Sequence, residues 1–294
     1  DRGCQVTTFK PRRSVLYMPS SNERALEKAK SIACDGLILD LEDAVAPDAK
    51  PAARLAAAAA ASPGEYGRRE LTIRVNGMDT QWHQDDMRAA CEAGPNAIVV
   101  PKVSSEDEVY ALVETMAKYD APGKTKLWAM IETPHAMLHA EEIASASERL
   151  EVLVMGTNDL VKELYAEHVP GRQSILTGLG LALLAARATG KAILDGVFND
   201  VKDEAGFLAE CQQGRDMGFD GKTLIHPGQV AGANAAFAPS EQAVADAKGI
   251  LQAWEDGKGA GVVTYNGRMV ENLHVESAQR ILTMHEAIQL LEVS

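Results

Sequence analysis

The chain has 294 residues, 46% of them hydrophobic and 24% charged, enough for a large buried core and one barrel-sized domain with an appendage. Its formal net charge is −13 and its pI about 5.0, with no run of Lys or Arg, which excludes a basic nucleic-acid surface and a surface for anionic membranes. Cys4, Cys34, Cys91 and Cys211 lie far apart and form no CxxC pair, so they read as free thiols in a reducing compartment and not as a zinc knuckle or redox motif.

Short apolar runs alternate with longer stretches of helical character. The first run is 14–18, followed by a helix-like segment over about 22–33. The second run, 37–41, is followed by the alanine-rich helix former 51–61, and the third, 71–75, by a helix over 85–93. The fourth run, 97–100, precedes a helix over 106–118; the fifth, 127–131, precedes a helix opening near Pro134, a residue suited to a first turn. The sixth run, 152–155, is followed by a helix over about 174–189, the seventh, 192–197, by one over 204–217, and the eighth is 223–225. Eight short, near-continuous apolar strands, each followed by helix, predict an α/β fold with a parallel sheet buried on both faces, the (β/α)8 TIM barrel, over residues 1–235. An open doubly wound sheet is the competitor, but its glycine-rich phosphate turn is missing: the first strand runs into Pro19-Ser20-Ser21-Asn22.

Residues 236–294 form a distinct C-terminal extension. An amphipathic helix over 239–256 opens at Ser240, a glycine-rich break covers 257–261, and Asn266-Gly267 between two short runs signals a type I′ hairpin. A last helix covers about 275–291. Such an extension is long enough to act as a lid or to reach a neighbouring subunit. The segment Asp1 to Lys10 carries no apolar stretch of signal-peptide type, and no apolar run approaches the ~20 residues that cross a bilayer, so a cytoplasmic location is expected.

In a barrel, chemistry gathers at the C-terminal ends of the strands. Those ends read Asp40-Leu41-Glu42-Asp43, Arg74-Val75-Asn76-Gly77, Pro101-Lys102, Glu132-Thr133-Pro134, Gly156-Thr157-Asn158-Asp159 and His226-Pro227. A ring of carboxylates with one Arg and one Lys is hard to explain as packing, because each unpaired buried charge is costly. Glu132 and Asp159 are the metal candidates: a hard cation such as Mg2+, or Mn2+ in its place, prefers carboxylate oxygens, and two protein ligands leave room for substrate and water. The plain alternative is helix capping, above all for Asp159. Arg74 suits a substrate carboxylate through bidentate pairing, or else an ion pair to Glu42 or Asp43. Glu42 and Asp43 could accept hydrogen bonds from metal-bound waters. His135 and His139 read as surface or packing residues, and neither a GxSxG elbow nor a P-loop is present.

The segments 39–45, 74–76, 101–102, 131–134, 156–160 and 225–227 together resemble the citrate lyase β-subunit-like family, which includes malyl-CoA and citramalyl-CoA lyases and a related malyl-CoA thioesterase. The resemblance covers nearly the whole chain. It implies a magnesium-dependent TIM barrel acting on 3-hydroxyacyl-CoA thioesters, with Glu132 and Asp159 as metal ligands, Arg74 on the substrate carboxylate, and Glu42 and Asp43 behind the metal waters. It places Lys28 near the CoA phosphates, with Asn22 standing where some members carry a phosphate-contacting arginine. It also places Glu271 where an acid from the extension completes the adjacent subunit's site, an aspartate in related lyases, and it implies a homo-oligomer, trimer or hexamer. The leading expectation is C–C bond cleavage or formation between an acyl-CoA and a 2-oxo acid, with Glu271 as the acid–base group. The alternatives are malyl-CoA hydrolysis on the same scaffold, a class II 2-oxo-acid aldolase without CoA, and a non-catalytic subunit of a lyase complex.

Overall fold

The structure, a computed structural model, describes residues 9–61 and 64–292. Cys4 lies outside the described residues; Cys34, Cys91 and Cys211 are buried free thiols. The chain divides into two compact units, Arg12–Phe237 and a unit built on the C-terminal segment from Ala238 onward.

The first unit is a closed barrel of eight parallel strands: β1 Ser14–Pro19, β2 Gly36–Asp40, β3 Glu70–Arg74, β4 Ala97–Val100, β5 Lys126–Ile131, β6 Leu150–Met155, β7 Ala192–Asp195 and β8 Gly221–Leu224. They pair in chain order, and β8 closes onto β1. The helices are α1 Glu23–Ala29, α2 Lys50–Ala60, α3 His83–Ala93, α4 Glu106–Lys118, α5 Pro134–Leu138, α6 Ala140–Ser145, α7 Thr157–Glu163, α8 Leu176–Thr189, α9 Glu204–Met217 and α10 Val230–Phe237. The (β/α)8 expectation is met.

Strand side chains alternate between the two faces of the sheet. One set, including Val15, Ile38, Val99, Trp128, Val152 and Leu194, packs as a cluster of its own in the barrel interior. The other set joins the helices in the larger core. Asn22, Ser105, Thr133 and Asp203 each cap a helix by accepting a hydrogen bond from the backbone N–H three residues on.

Some boundaries differ from the sequence reading. α1 stops at Ala29 because the N–H groups of Lys30, Ser31 and Ile32 bond three residues back, tightening the last turn to 3-10 geometry. β7 stops at Asp195, whose carboxylate accepts from the Gly196 N–H and turns the chain out of the sheet. The helices α7 and α10 were not foreseen.

The C-terminal unit contains α11 Glu241–Asp256, β9 Val263–Tyr265, β10 Arg268–Val270 and α12 Asn272–Glu292. Ser240 caps α11 through the Ala243 N–H, and α11 packs along α12. Asn266 and Gly267 both have positive φ, 49° and 72°, as a type I′ turn requires, and β9 and β10 pair antiparallel across them. Among the described residues, no helix is long and apolar enough to cross a membrane.

Candidate functional site

The period of two that packs the barrel interior also sets the site. Inward-facing Ile38, Thr72, Met130 and Val154 are each followed two residues later by Asp40, Arg74, Glu132 and Gly156, so the pleat aims these four positions into the mouth. They line a cavity of about 300 Å3 together with Tyr17, Asp43 and Asp159, and with Met130, Met155, Val197 and Ile225 as apolar wall.

Arg74 is braced on several sides. The β2–β3 register sets Asp40 beside Arg74, and the two form a fork: Arg74 Nε lies 2.7 Å from Asp40 Oδ1 and Nη2 2.8 Å from Oδ2. Nη1 lies 3.2 Å from Glu42 Oε1 and 3.6 Å from the Met130 sulfur. The Tyr17 ring stacks on the guanidinium, 4.6 Å from Cζ to the ring centroid. Burial favours a protonated Asp40, but the guanidinium and the N–H groups of Glu42 and Ala44 outweigh it and hold the carboxyl below the usual range. Of the ion-pair partners that the sequence suggested for Arg74, Glu42 is a secondary one; the principal partner is Asp40.

Glu42 is half-buried and Asp43 exposed. The turn that carries them is fixed from below. Lys50 Nζ donates to the carbonyls of Leu41 and Glu42 at 3.0 and 2.9 Å, and Asn76 Nδ2 donates to Leu41 O at 2.9 Å. Burial pushes the Glu42 carboxyl up to about 7, with the Arg74 charge opposing and Asp43 and Asp40 reinforcing.

Glu132 is 3% exposed. Its Oε1 accepts the Lys102 N–H at 2.7 Å, and a Cβ at residue 156 would collide with its carboxylate, so Gly156 is what makes room for it. Burial, then the charges of Asp159 and Glu42, drive its pKa well above the ordinary carboxylate value. Asp159 stands in the first turn of α7, whose cap position is Gly156, so it is not the capping residue; its Oδ1 lies 3.9 Å from Lys102 Nζ. The donor set suits a hard dication: oxygen ligands whose mutual repulsion a cation would relieve. Among the described residues no group of three or more His, Cys, Asp or Glu side chains could hold a metal by itself, which leaves an open pair and not a closed cage.

Lys28 and Asn22 do not line this cavity. Lys28 is exposed on α1, and Asn22 is committed as the α1 cap. Glu271 belongs to the C-terminal unit and opens α12, its N–H donating to His274 Nδ1 at 2.9 Å. His226 caps a short turn through Nδ1, and His139 pairs with Glu142 at 2.9 Å while His135 is exposed.

Sequence reasoning missed Tyr17, and it placed Asp40 at a strand end without a role; the signal for both was the inward parity of strands one and two. It also missed a second cluster on the outer face of β7 and β8. There Lys222, with no exposure, lies 2.6 Å from Glu210 and 3.3 Å from Asp195, and Arg172 lies 2.7 Å from Asp195. Two cations and two carboxylates balance one another, as burial demands.

Residues 13–227 match the family described as HpcH/HpaI aldolase/citrate lyase, and residues 173–288 match the one described as C-C bond lyase of the TIM-barrel fold. The chain is 50% identical over 286 residues to a (3S)-malyl-CoA thioesterase of Cereibacter sphaeroides, covering 97% of this chain and 98% of that one. It is 34% identical over 289 residues to the citrate lyase subunit beta of Escherichia coli K12, covering 96% of each. Among solved structures, CitE of Mycobacterium tuberculosis in complex with magnesium, acetoacetate and coenzyme A matches with a TM-score of 0.76 at 28% identity, covering 93% of this chain and 97% of that one.

Proposed function

The chain belongs to the HpcH/HpaI aldolase/citrate lyase family, and from that premise we propose that it is a magnesium-dependent enzyme acting on a malyl-CoA-type 3-hydroxyacyl thioester. The observation that carries this reading is the meeting of Glu132, Asp159 and Arg74 in one cavity with an apolar wall. Held by Glu132 and Asp159, magnesium would supply Lewis-acid polarisation and a template for the oxygens of the hydroxy acid. Arg74 binds the substrate carboxylate. Its Nε/Nη2 edge is already taken by Asp40, so the carboxylate meets the Nη1 end instead of a vacant fork. Tyr17 and Met130 flank that end and limit how the acid can lie. Glu42, poised near neutrality beside Arg74, and Asp43 take up the hydrogen bonds of the surrounding waters. Lys28 and Asn22 form the contact zone for the CoA phosphates. Glu271 from a neighbouring copy of a homo-oligomer serves as the acid–base group.

Two reactions use this clamp. In thioester hydrolysis, water attacks the carbonyl, a base takes its proton, and CoA leaves as the thiol. In C–C cleavage, the hydroxyl loses its proton, the bond to the α-carbon breaks, and the acyl-CoA enolate is protonated. The 50% identity to a (3S)-malyl-CoA thioesterase over nearly the full length favours hydrolysis, and the 34% identity to a citrate lyase subunit favours cleavage as the second reading. Incubation with malyl-CoA, then citramalyl-CoA, in Mg2+ and in EDTA separates them. Free thiol appearing with intact hydroxy acid, and stopped by EDTA, is the expected result. Acetyl-CoA with a 2-oxo acid would instead make C–C cleavage the reaction. Turnover of neither thioester would overturn the CoA-ester reading and leave an aldolase acting without CoA, or a non-catalytic subunit.

A further inference from the structure

Lys102 touches both acids of the cation pair, by two different parts of the same residue. Its backbone sits at φ 52°, a region that residues with a Cβ seldom adopt. That conformation aims its N–H at Glu132 Oε1, 2.7 Å away, while the adjoining N–H of Val103 bonds back to the Met130 carbonyl of β5. The side chain turns the other way, and Nζ faces Asp159 Oδ1 at 3.9 Å.

The two cations at this mouth are held very differently. Arg74 is locked to Asp40 and stacked on Tyr17. The Lys102 side chain is 56% exposed, and its contact to Asp159 is long. A partly exposed ammonium at that distance is held weakly and swings out at little cost. Yet its charge acts on Asp159 first, then on Glu132, Glu42 and Asp43, and Asp159 and Glu42 are the carboxylates that load Glu132.

We infer that Lys102 is the resident counter-cation of the acid pair: its backbone N–H orients Glu132, and its ammonium balances Glu132 and Asp159 until a divalent cation displaces it, so that this charge sets the affinity for the cation. The inference rests on the reading of Glu132 and Asp159 as the cation pair. It makes Lys102 a positioning residue that tunes metal exchange. A site with two acids and no such lysine would bind magnesium more tightly and release it more slowly.

Titration calorimetry of Mg2+ into the purified, EDTA-stripped full chain, without substrate, tests this. Lys102→Met keeps the backbone N–H and removes the charge, and is expected to bind Mg2+ about fivefold more tightly than wild type at low salt, a gap that narrows as ionic strength rises. Lys102→Arg keeps the charge and is expected to match wild type. The rise in melting temperature on adding Mg2+ should be larger for Lys102→Met than for wild type, which a purely structural lysine would not produce. Equal or weaker Mg2+ binding by Lys102→Met overturns the role of Lys102 while leaving the cation site intact. Absence of Mg2+ binding by wild type overturns the cation pair itself, and this inference with it.

Discussion

Glu132→Gln is expected to cut magnesium-dependent turnover by roughly a thousandfold, the scale on which several kcal/mol of Lewis-acid stabilisation is lost, and at the same time to raise the melting temperature of the protein in EDTA. Both halves follow from one geometry. Glu132 is 3% exposed, and its carboxylate faces the charges of Asp159 and Glu42, so its ionised form is disfavoured in the fold. A carboxyl whose folded pKa lies above its unfolded value binds more protons in the folded chain between those two values. Its ionisation therefore opposes folding, and stability falls as pH rises through that window. For Glu42 the window runs from 4.5 to about 7, and burial shifts Glu132 in the same direction. In EDTA the wild-type melting temperature should fall as pH rises through this interval. The neutral amide at residue 132 should flatten that slope, and in wild type Mg2+ should flatten it too. The trade of stability against activity is common at functional sites. A Glu132→Gln variant with wild-type turnover, or one that melts lower in EDTA, contradicts the assignment.

Asp40→Asn is expected to have the largest effect on stability. Arg74 is 7% exposed, and Asp40 takes two of its nitrogens at 2.7 and 2.8 Å. An amide preserves the shape but leaves a buried guanidinium without its main countercharge, a defect of about 3–5 kcal/mol in comparable buried pairs. Glu42, at 3.2 Å from Nη1, compensates in part. The same change also turns an NH2 group toward donors, because each Asp40 oxygen accepts from one Arg74 nitrogen and one backbone N–H, that of Glu42 at Oδ1 and that of Ala44 at Oδ2. Urea unfolding measures the loss directly. Asp43→Asn is the control: Asp43 is exposed, and its replacement should stay within about 0.5 kcal/mol of wild type. Equal stability of the Asp40 and Asp43 variants would show that Arg74 does not depend on the fork.

The order of eight strands was legible because each apolar run is short, continuous and separated from the next by a helical stretch, a pattern that only a doubly covered parallel sheet requires. Glu132, Asp159 and Arg74 were legible as strand-end polar residues. Their partners were not. Asp40 meets Arg74 only through the β2–β3 register, and register is a pairing of two segments that a single chain does not display. The same limit hid the Lys222–Asp195 contact across β7 and β8. Lys102 was visible as a strand-end lysine, but its left-handed backbone and bond to Glu132 depend on how the turn after β4 packs against β5. Gly156 stands in a strand-end motif with no role legible in the sequence, although its missing Cβ serves the Glu132 carboxylate. The helix α10 went unread because 230–237 is rich in small residues and lacks a polar face to set a period.

The central claim, that Glu132 and Asp159 jointly hold a divalent cation, is tested most directly with crystals grown in Mn2+, whose anomalous scattering marks the ion that stands in for Mg2+. One strong peak is expected within metal–oxygen bonding distance, about 2.1 Å, of a carboxylate oxygen of both residues, with its loss in Glu132→Gln crystals. A peak bound elsewhere, or none at saturating Mn2+, would contradict it.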